Sequence, residues 1–258
     1  MKRYARLNAL LDEMAAHGHV DVEEMARQLE VSASTVRRDL NQLTEQQLVT
    51  RTRGGAVAAG VSYDLPLRYK ASRHQPEQVR IGQAASRLIH PGDIVGLNGG
   101  ATTTEVARGL AARGPAGAAG EITVVTNAVN IAAELIVRRN VKLLLTGGLA
   151  KPRSFELIGP FAAETLNQLD LDVAVIGVDA IDPDTGAKAL DPDEAQLAKL
   201  MIARSRRTIV VADTGKLHAR GLARICDWSQ VRLLVTDAEA SEPGLATIRA
   251  HGVEVITV

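Results

Sequence analysis

VSASTVRRDLNQLTEQQLVTRTRGGAV, residues Val31 to Val57, carries two periodicities in one stretch. At about 100° per residue, Val36, Leu40 and Leu43 fall on one helical face; Ser34, Arg38 and Asn41 centre the opposite face, flanked by Thr35 and Arg37. One side is built to seat in a core, and the other offers hydroxyls, guanidinium groups and an amide. Ser32 stands where an N-cap belongs. Upstream, Asp21 and Glu24 form a capping-box pattern at the start of a shorter helix, VEEMARQL. A tight Glu30-Val31-Ser32 turn then separates two helices, which is a helix-turn-helix spacing. Past the second helix, LVTRTRGGAV reads as two short β segments around a basic tip with Arg51 and Arg53, a wing. Helix, turn, helix and basic wing suit insertion into a DNA major groove with flanking phosphate contacts. A helical hairpin with merely solvated arginines is the alternative, and capping, wing and RRDL block in register argue against it.

VSASTVRRDL followed by RTRGGA resembles the N-terminal signature of the DeoR family of bacterial transcription regulators, roughly VS, two residues, T(I/V)RRDL, a linker and R-x-x-GGA. Gln47 departs from the family, which usually has Gly there to close the recognition helix. Gly tolerates a left-handed cap that strains other residues, so a different helix-to-wing turn is expected.

The chain has 258 residues, enough for about two domains with apolar cores. Lys plus Arg and Asp plus Glu are equal at 30 each, so net charge lends DNA binding no support. The balance holds within the first 60 residues, and the case rests on where the arginines sit. A single cysteine, Cys226, excludes an internal disulfide framework and a cysteine-rich zinc site. Asp12 and Glu13 interrupt any signal-like apolar region, and nowhere do ~18 apolar residues run together, so a cytoplasmic location without membrane insertion is expected. The six histidines show no metal-ligand pairing, and no metal or cofactor is called for.

In chain order, Leu7, Leu10, Leu11 and Met14 predict a helix over about residues 4–16 that packs beneath the helix-turn-helix. Residues 1–57 are therefore read as the winged helix-turn-helix and 58–75 as a linker whose Arg68, Lys70, Arg73 and His74 touch DNA backbone, dock on the second domain or are simply solvated. Residues 76–258 are read as an α/β domain for effector binding and oligomerisation. There a helix over about 77–89 precedes β-branched runs at 94–97, 122–126, 141–146, 173–178, 208–212, 232–236 and 254–258. These alternate with helical patterns, which implies a mostly parallel sheet covered on both faces. Residues 109–121, GLAARGPAGAAGE, are expected to form a mobile surface loop.

In such sheets ligands sit beyond the carboxyl ends of the strands. The first run leads into Asn98, Gly99, Gly100, Ala101, Thr102 and Thr103 ahead of a helix, which supplies the small residues, hydroxyls and helix N-terminus of a phosphate cradle. A purely structural turn needs similar residues. Other strand ends add Thr126 and Asn127, Gly147 and Gly148, Asp179, and Asp213 with Lys216. Carboxylates accept from hydroxyls and an ammonium pairs with phosphate, so the set suits a polyol phosphate. In KPRSFELIGP, Arg153, Ser154, Glu156 and Gly159 either close over a ligand or form a structural loop. Lys188 is a further candidate, and Trp228 and Cys226 read as packing residues.

These pieces resemble the DeoR family's C-terminal sensor domain, which is related in fold to ribose-5-phosphate isomerase and typically binds a phosphorylated sugar or polyol. The family loop is commonly D-x-G-T-T, followed by TN, GG and D-x-x-K. Asn98 and Ala101 depart from it, and Asn98 removes a negative charge, which is expected to favour a more anionic ligand. The resemblance implies a repressor of a sugar or polyol catabolic operon, working as a homo-oligomer, dimer or tetramer, on double-stranded operator DNA and released by a phosphorylated effector. The competing reading is a sugar-phosphate isomerase-like enzyme with Asp179 or Asp213 as base and Lys216 as electrostatic partner. A winged helix-turn-helix has no use in an isomerase, which favours regulation.

Overall fold

The computed structural model describes residues 6–7, 9–11, 13–14, 19–45, 49–58, 76–113, 121–239 and 241–258. The chain divides into two compact units, Met1–Tyr69 and Lys70–Val258. The expected linker, its basic cluster and the turn at Gln47 lie outside the described residues.

In the first unit, helical residues between 6 and 14 bury Leu7, Leu10, Leu11 and Met14. Strand β1 (His19–Asp21) follows, then α1 (Val22–Gln28) and α2 (Ala33–Glu45), then β2 (Val49–Thr52) and β3 (Gly55–Ala58). Asp21 ends β1 and caps α1, accepting from the N–H groups of Glu23 at 2.9 Å and Glu24 at 3.0 Å. Between the helices Glu30 adopts φ 53°, a left-handed residue that turns the chain in one step. Ser32 Oγ then accepts from the Thr35 N–H at 3.2 Å, as an N-cap should. Val36, Leu40 and Leu43 are fully buried beneath α2. Burying a side chain of that size stabilises by about 1.5–3 kcal/mol, so this stripe holds the recognition helix down.

Two features of this unit escaped the sequence reading. The wing is a three-stranded sheet in the order β1-β3-β2, because a three-residue strand, HVD, joins it. Gly55 allows that pairing, since a Cβ there would lie 1.8 Å from the Val20 carbonyl oxygen. The second feature is Asp39, the acid of RRDL, which is 1% exposed and held by Arg6 through Nε–Oδ2 at 2.8 Å and Nη2–Oδ1 at 3.3 Å. The RRDL block thus turns its arginines outward and its aspartate into an ion pair.

The second unit is built on seven parallel strands in the order β15-β14-β12-β9-β4-β5-β6. These are β4 (Ile94–Leu97), β5 (Ile122–Thr126), β6 (Val141–Leu145), β9 (Leu171–Gly177), β12 (Ser205–Val211), β14 (Leu233–Thr236) and β15 (Glu254–Thr257). Alternate residues of the strands feed two separate cores. Val95, Leu97, Val124, Val173, Val175 and Val211 pack under α3 (Pro76–Arg87), α4 (Ala101–Ala111) and α5 (Val129–Leu135). Val125, Ala174, Ile176, Val210 and Leu234 pack under α6 (Pro160–Asn167), α7 (Pro192–Ala203) and α8 (Pro243–Ala250). Burial on both faces is why these strands read as continuous apolar runs.

The expected loop over 109–121 is corrected at its start. Helix α4 continues through Ala111, because Gly109 sits where a Cβ would lie 2.5 Å from Ser86 Oγ, so the glycine lets α4 lie close against α3. Residues 114–120 lie outside the described residues. Two further sheets also went unread: a hairpin of β7 (Leu149–Ala150) and β8 (Leu157–Ile158), and an antiparallel sheet of β10 (Ala180–Asp182), β11 (Gly186–Ala189) and β13 (Ala223–Cys226). Trp228 is buried there as expected and donates from Nε1 to the Asp182 carbonyl at 3.0 Å. Among the described residues no helix is long and apolar enough to cross a membrane.

Candidate nucleic-acid interface and anion cradle

The recognition face of α2 presents what its periodicity promised. Ser34, Arg37, Arg38 and Asn41 are exposed and Thr35 is half-buried. The two hydroxyls share Ser32, whose Oγ lies 2.9 Å from Ser34 Oγ and 2.8 Å from Thr35 Oγ1. Arg37 is engaged by Glu23 of α1 at 2.9 Å, an exposed pair of small energy that a phosphate can displace. In the wing, Arg53 is exposed at the tip, whereas Arg51 is half-buried with Nη1 enclosed and unpartnered among the described residues.

In the second unit strand order decides where a ligand can go. From β4 the chain moves outward through β5 and β6, whereas from β9 it moves the other way through β12, β14 and β15. The switch lies between β4 and β9, and a crevice opens at the carboxyl ends of such a pair. Asn98 and Gly177 face each other there. The Asn98 Nδ2 donates to the Gly177 carbonyl at 3.0 Å and its Oδ1 accepts from the Gly177 N–H at 2.8 Å. Beside the change of charge expected from the sequence, Asn98 has a structural duty: its amide stitches the two strands across the switch point. Aspartate in its place would lose the donor and set a carboxylate against a carbonyl.

Directly after Asn98 the chain turns at Gly100, φ 134°, into α4, which begins without a side-chain cap. Thr104 is the first N–H to bond back, to the Gly100 carbonyl at 3.1 Å. Among the described residues no acceptor meets the N–H groups of Gly100, Ala101, Thr102 and Thr103. They converge at a helix N-terminus, which is the donor set an anion needs. Several expected ligand groups have structural duties instead. The Thr103 and Thr104 hydroxyls donate to the Gly100 carbonyl at 3.1 and 2.7 Å, and Thr126 Oγ1 donates to the Leu97 carbonyl at 2.7 Å. Gly147 and Gly148, at φ 76° and 120°, turn the chain from β6 into β7; a Cβ on Gly148 would meet the Ile158 carbonyl oxygen at 2.6 Å.

Asp179 follows β9 and accepts from the Leu190 N–H at 2.9 Å. Asp213 and Lys216 follow β12, the neighbour of β9, at a 3-10 turn over Thr214–His218. Both are half-buried, and neither side chain has an ion pair among the described residues. Lys188, a weaker candidate, is held by Asp182 at 2.7 Å on the small sheet.

The segment KPRSFELIGP supplies the loop and the second strand of the β7–β8 hairpin, and its acid turns inward. Glu156 is 3% exposed; its Oε1 accepts from the Gly99 N–H at 2.7 Å and its Oε2 from Asn127 Nδ2 at 3.0 Å. Burial, with Glu194 and Asp179 adding like charge, pushes its carboxyl up to about 8 against the pull of the Asn127 and Gly99 donors. Burial also raises Glu194, which bonds Ser154 on the hairpin. Lys151 ties the hairpin to the start of α7 through Asp191 and, at 3.2 Å, Asp193. Glu194 and Asp191 gave no signal in the sequence, because nothing local marks a helix start as the neighbour of a hairpin some 40 residues earlier. Among the described residues no group of His, Cys, Asp and Glu is arranged to hold a metal.

A winged helix-turn-helix with exposed arginines on its second helix, followed in the chain by a parallel α/β domain, is the build of a transcription regulator. Comparison with known proteins agrees. A model of the DeoR-like helix-turn-helix domain matches residues 6–60, and one of the DeoR C terminal sensor domain matches residues 73–238. The chain belongs to the DeoR family and is a DNA-binding transcription regulator. It is 28% identical over 99% of both chains to the glycerol-3-phosphate regulon repressor of Escherichia coli K12. It is 31% identical to the HTH-type transcriptional repressor CsqR of the same organism, over 90% of this chain and 87% of that one. Both relatives are repressors, and the enzyme reading finds no support in them. A more distant likeness joins it to ribose 5-phosphate isomerase from Methanocaldococcus jannaschii, at TM-score 0.41 and 16% identity over 54% of this chain and 53% of that one.

Proposed function

We propose that this regulator represses a sugar or polyol catabolic operon and leaves its operator when a phosphorylated sugar or polyol occupies the crevice between β4 and β9. One observation carries the effector half: the run of N–H groups from Gly100 to Thr103 at the uncapped start of α4, placed at the switch point. Thr102 lies in the first turn of α4, and Asn127, Asp179, Asp213 and Lys216 follow β5, β9 and β12 at the same edge of the sheet, which supports a reading in which Lys216 is the charge partner for phosphate. The name of one relative, a glycerol-3-phosphate regulon repressor, points to the same ligand class.

On the DNA side, Arg38 with Ser34, Thr35 or Asn41 faces base edges, while Arg37, Arg51 and Arg53 hold phosphates. A dimer or tetramer joined through the second unit places recognition helices about one helical turn of DNA apart, ~34 Å. The effector favours an arrangement of the oligomer that no longer matches that spacing. Linkage then requires operator DNA to weaken effector affinity by the same factor. Such a protein works in the cytoplasm, where bacterial DNA is.

The test is a thermal-shift screen of the full chain against phosphorylated sugars and polyols beside their unphosphorylated forms. A ligand at 100 times its Kd stabilises by about 2.7 kcal/mol, a readable shift. The expected result is a shift by one phosphorylated compound alone, lost in Lys216→Ala, with release of a fluorescent operator by the same compound. If no phosphorylated compound shifts melting, or its unphosphorylated form does so equally, the effector assignment is wrong.

A further inference from the structure

Glu156 is used neither by the DNA-reading face nor by the ligand contacts proposed above, yet it sits where the β4–α4 and β5–α5 turns meet. Its two oxygens hold Gly99, the residue ahead of the anion cradle, and Asn127, at the end of the next strand. Gly99 has to be glycine for this, since a Cβ there would lie 2.5 Å from Glu156 Cγ. The carboxyl therefore sets the position of the β4–α4 turn and ties it to the β5 turn. It also puts an acid within one residue of the N–H groups offered to an anion.

The charge around it is negative. On its own hairpin stand Lys151, held by Asp191 and Asp193, and Arg153. The start of α7 contributes Glu194, and the end of β9 contributes Asp179. On α4, Glu105 is paired with Arg108; on β11, Lys188 is paired with Asp182; at the end of β12 stand Asp213 and Lys216. Among the described residues no cation pairs with Glu156. An ionised Glu156, with no cation of its own, and a bound phosphate dianion would thus be two like charges on either side of one peptide, in a place with little water.

We propose that Glu156 is the positioning residue of the anion cradle and that it takes up a proton from solvent when the anion binds. This rests on the phosphate reading of the crevice given above. The neutral acid still accepts from Gly99, so the turn keeps its shape while the repulsion disappears. The free carboxyl titrates near pH 8, so below that pH it is largely protonated and binding needs no extra proton. Above it, each anion bound brings one proton in, and affinity falls toward about tenfold per pH unit.

The experiment is calorimetric titration of the full chain with glycerol 3-phosphate and with inorganic phosphate from pH 6.5 to 9.5, in buffers of different ionisation enthalpy. The wild type should take up close to one proton per anion at pH 9 and little at pH 7. Glu156→Gln, of the same size and still an acceptor for Gly99, should bind with no decline above pH 8. Glu194→Gln, which removes a like charge from beside Glu156, should move the onset of the decline to lower pH. Carboxyl carbon NMR of glutamate-labelled protein should show one glutamate titrating far above the ordinary range, moving higher still with phosphate. Binding that is flat from pH 7.5 to 9.5, an unaltered slope in Glu156→Gln, or a Glu156 that titrates as an ordinary carboxylate overturns the proposal and leaves the cradle standing. Failure of both probes to bind wild type and variant at every pH overturns the cradle and this proposal with it.

Discussion

The recognition face of α2 and the crevice between β4 and β9, the two binding surfaces of the proposed function, are made in opposite ways. On α2 the acting groups are side chains that the fold leaves alone. Ser34, Arg38 and Asn41 are exposed, and the helix beneath is set by its own apolar stripe and cap. At the crevice the side chains that the motifs single out are largely consumed in building it: Asn98 joins two strands, Thr103 and Thr126 brace turns, and Asn127 holds Glu156. What remains for a ligand there is mainly backbone N–H. A surface that reads DNA bases needs varied side chains, whereas a pocket for one anion needs a rigid cup of donors.

The sharpest way to break this contrast is to remove a side chain on the α2 side that does have a structural duty. Asp39→Ala removes the buried carboxylate that accepts two hydrogen bonds from Arg6 and should destabilise the first unit by about 3–5 kcal/mol. Loss of operator binding with a preserved thermal response to the effector would show that the two surfaces fail separately. Loss of both would mean that the units depend on each other for folding.

Substitutions with smaller effects separate base reading from phosphate holding. Arg38→Ala should lower the preference for operator over random DNA by about 1–3 kcal/mol in fluorescence anisotropy. Arg53→Ala, at the exposed wing tip, should weaken both DNAs alike and reduce the salt slope by about 1. A Glu23→Gln variant frees Arg37 from its ion pair and should change affinity by less than either.

On the crevice side the effect to read is pH-dependent stability. Glu156 has a folded-state value raised from 4.5 to about 8, so its contribution is fully present below the unfolded value and is lost progressively as pH rises to about 8. Above that both states are ionised and the loss is constant. In urea titrations Glu156→Gln should therefore gain on the wild type steadily between pH 4.5 and 8 and hold the gain above it. A constant difference across that range would mean that Glu156 stays charged in the folded chain.

The sequence alone determined the winged helix-turn-helix and the alternation of strands and helices. Both follow from contacts between residues near in sequence: the i, i+4, i+7 stripe of Val36, Leu40 and Leu43, the caps at Asp21 and Ser32, and apolar runs bounded by Gly and Pro. It also located the turn from β4 into α4, because a strand, small residues and a helix start are consecutive. The third wing strand, the β7–β8 hairpin and the small antiparallel sheet were missed because each is two to four residues long and exists only through a distant partner. Only the tertiary structure decided the order of the parallel strands, and with it the switch point between β4 and β9. It alone also set Glu156 under Gly99 and Glu194 beside it. Those placements come from packing between segments far apart in the chain, and a buried acid's charge state depends on what surrounds it, which no local pattern records.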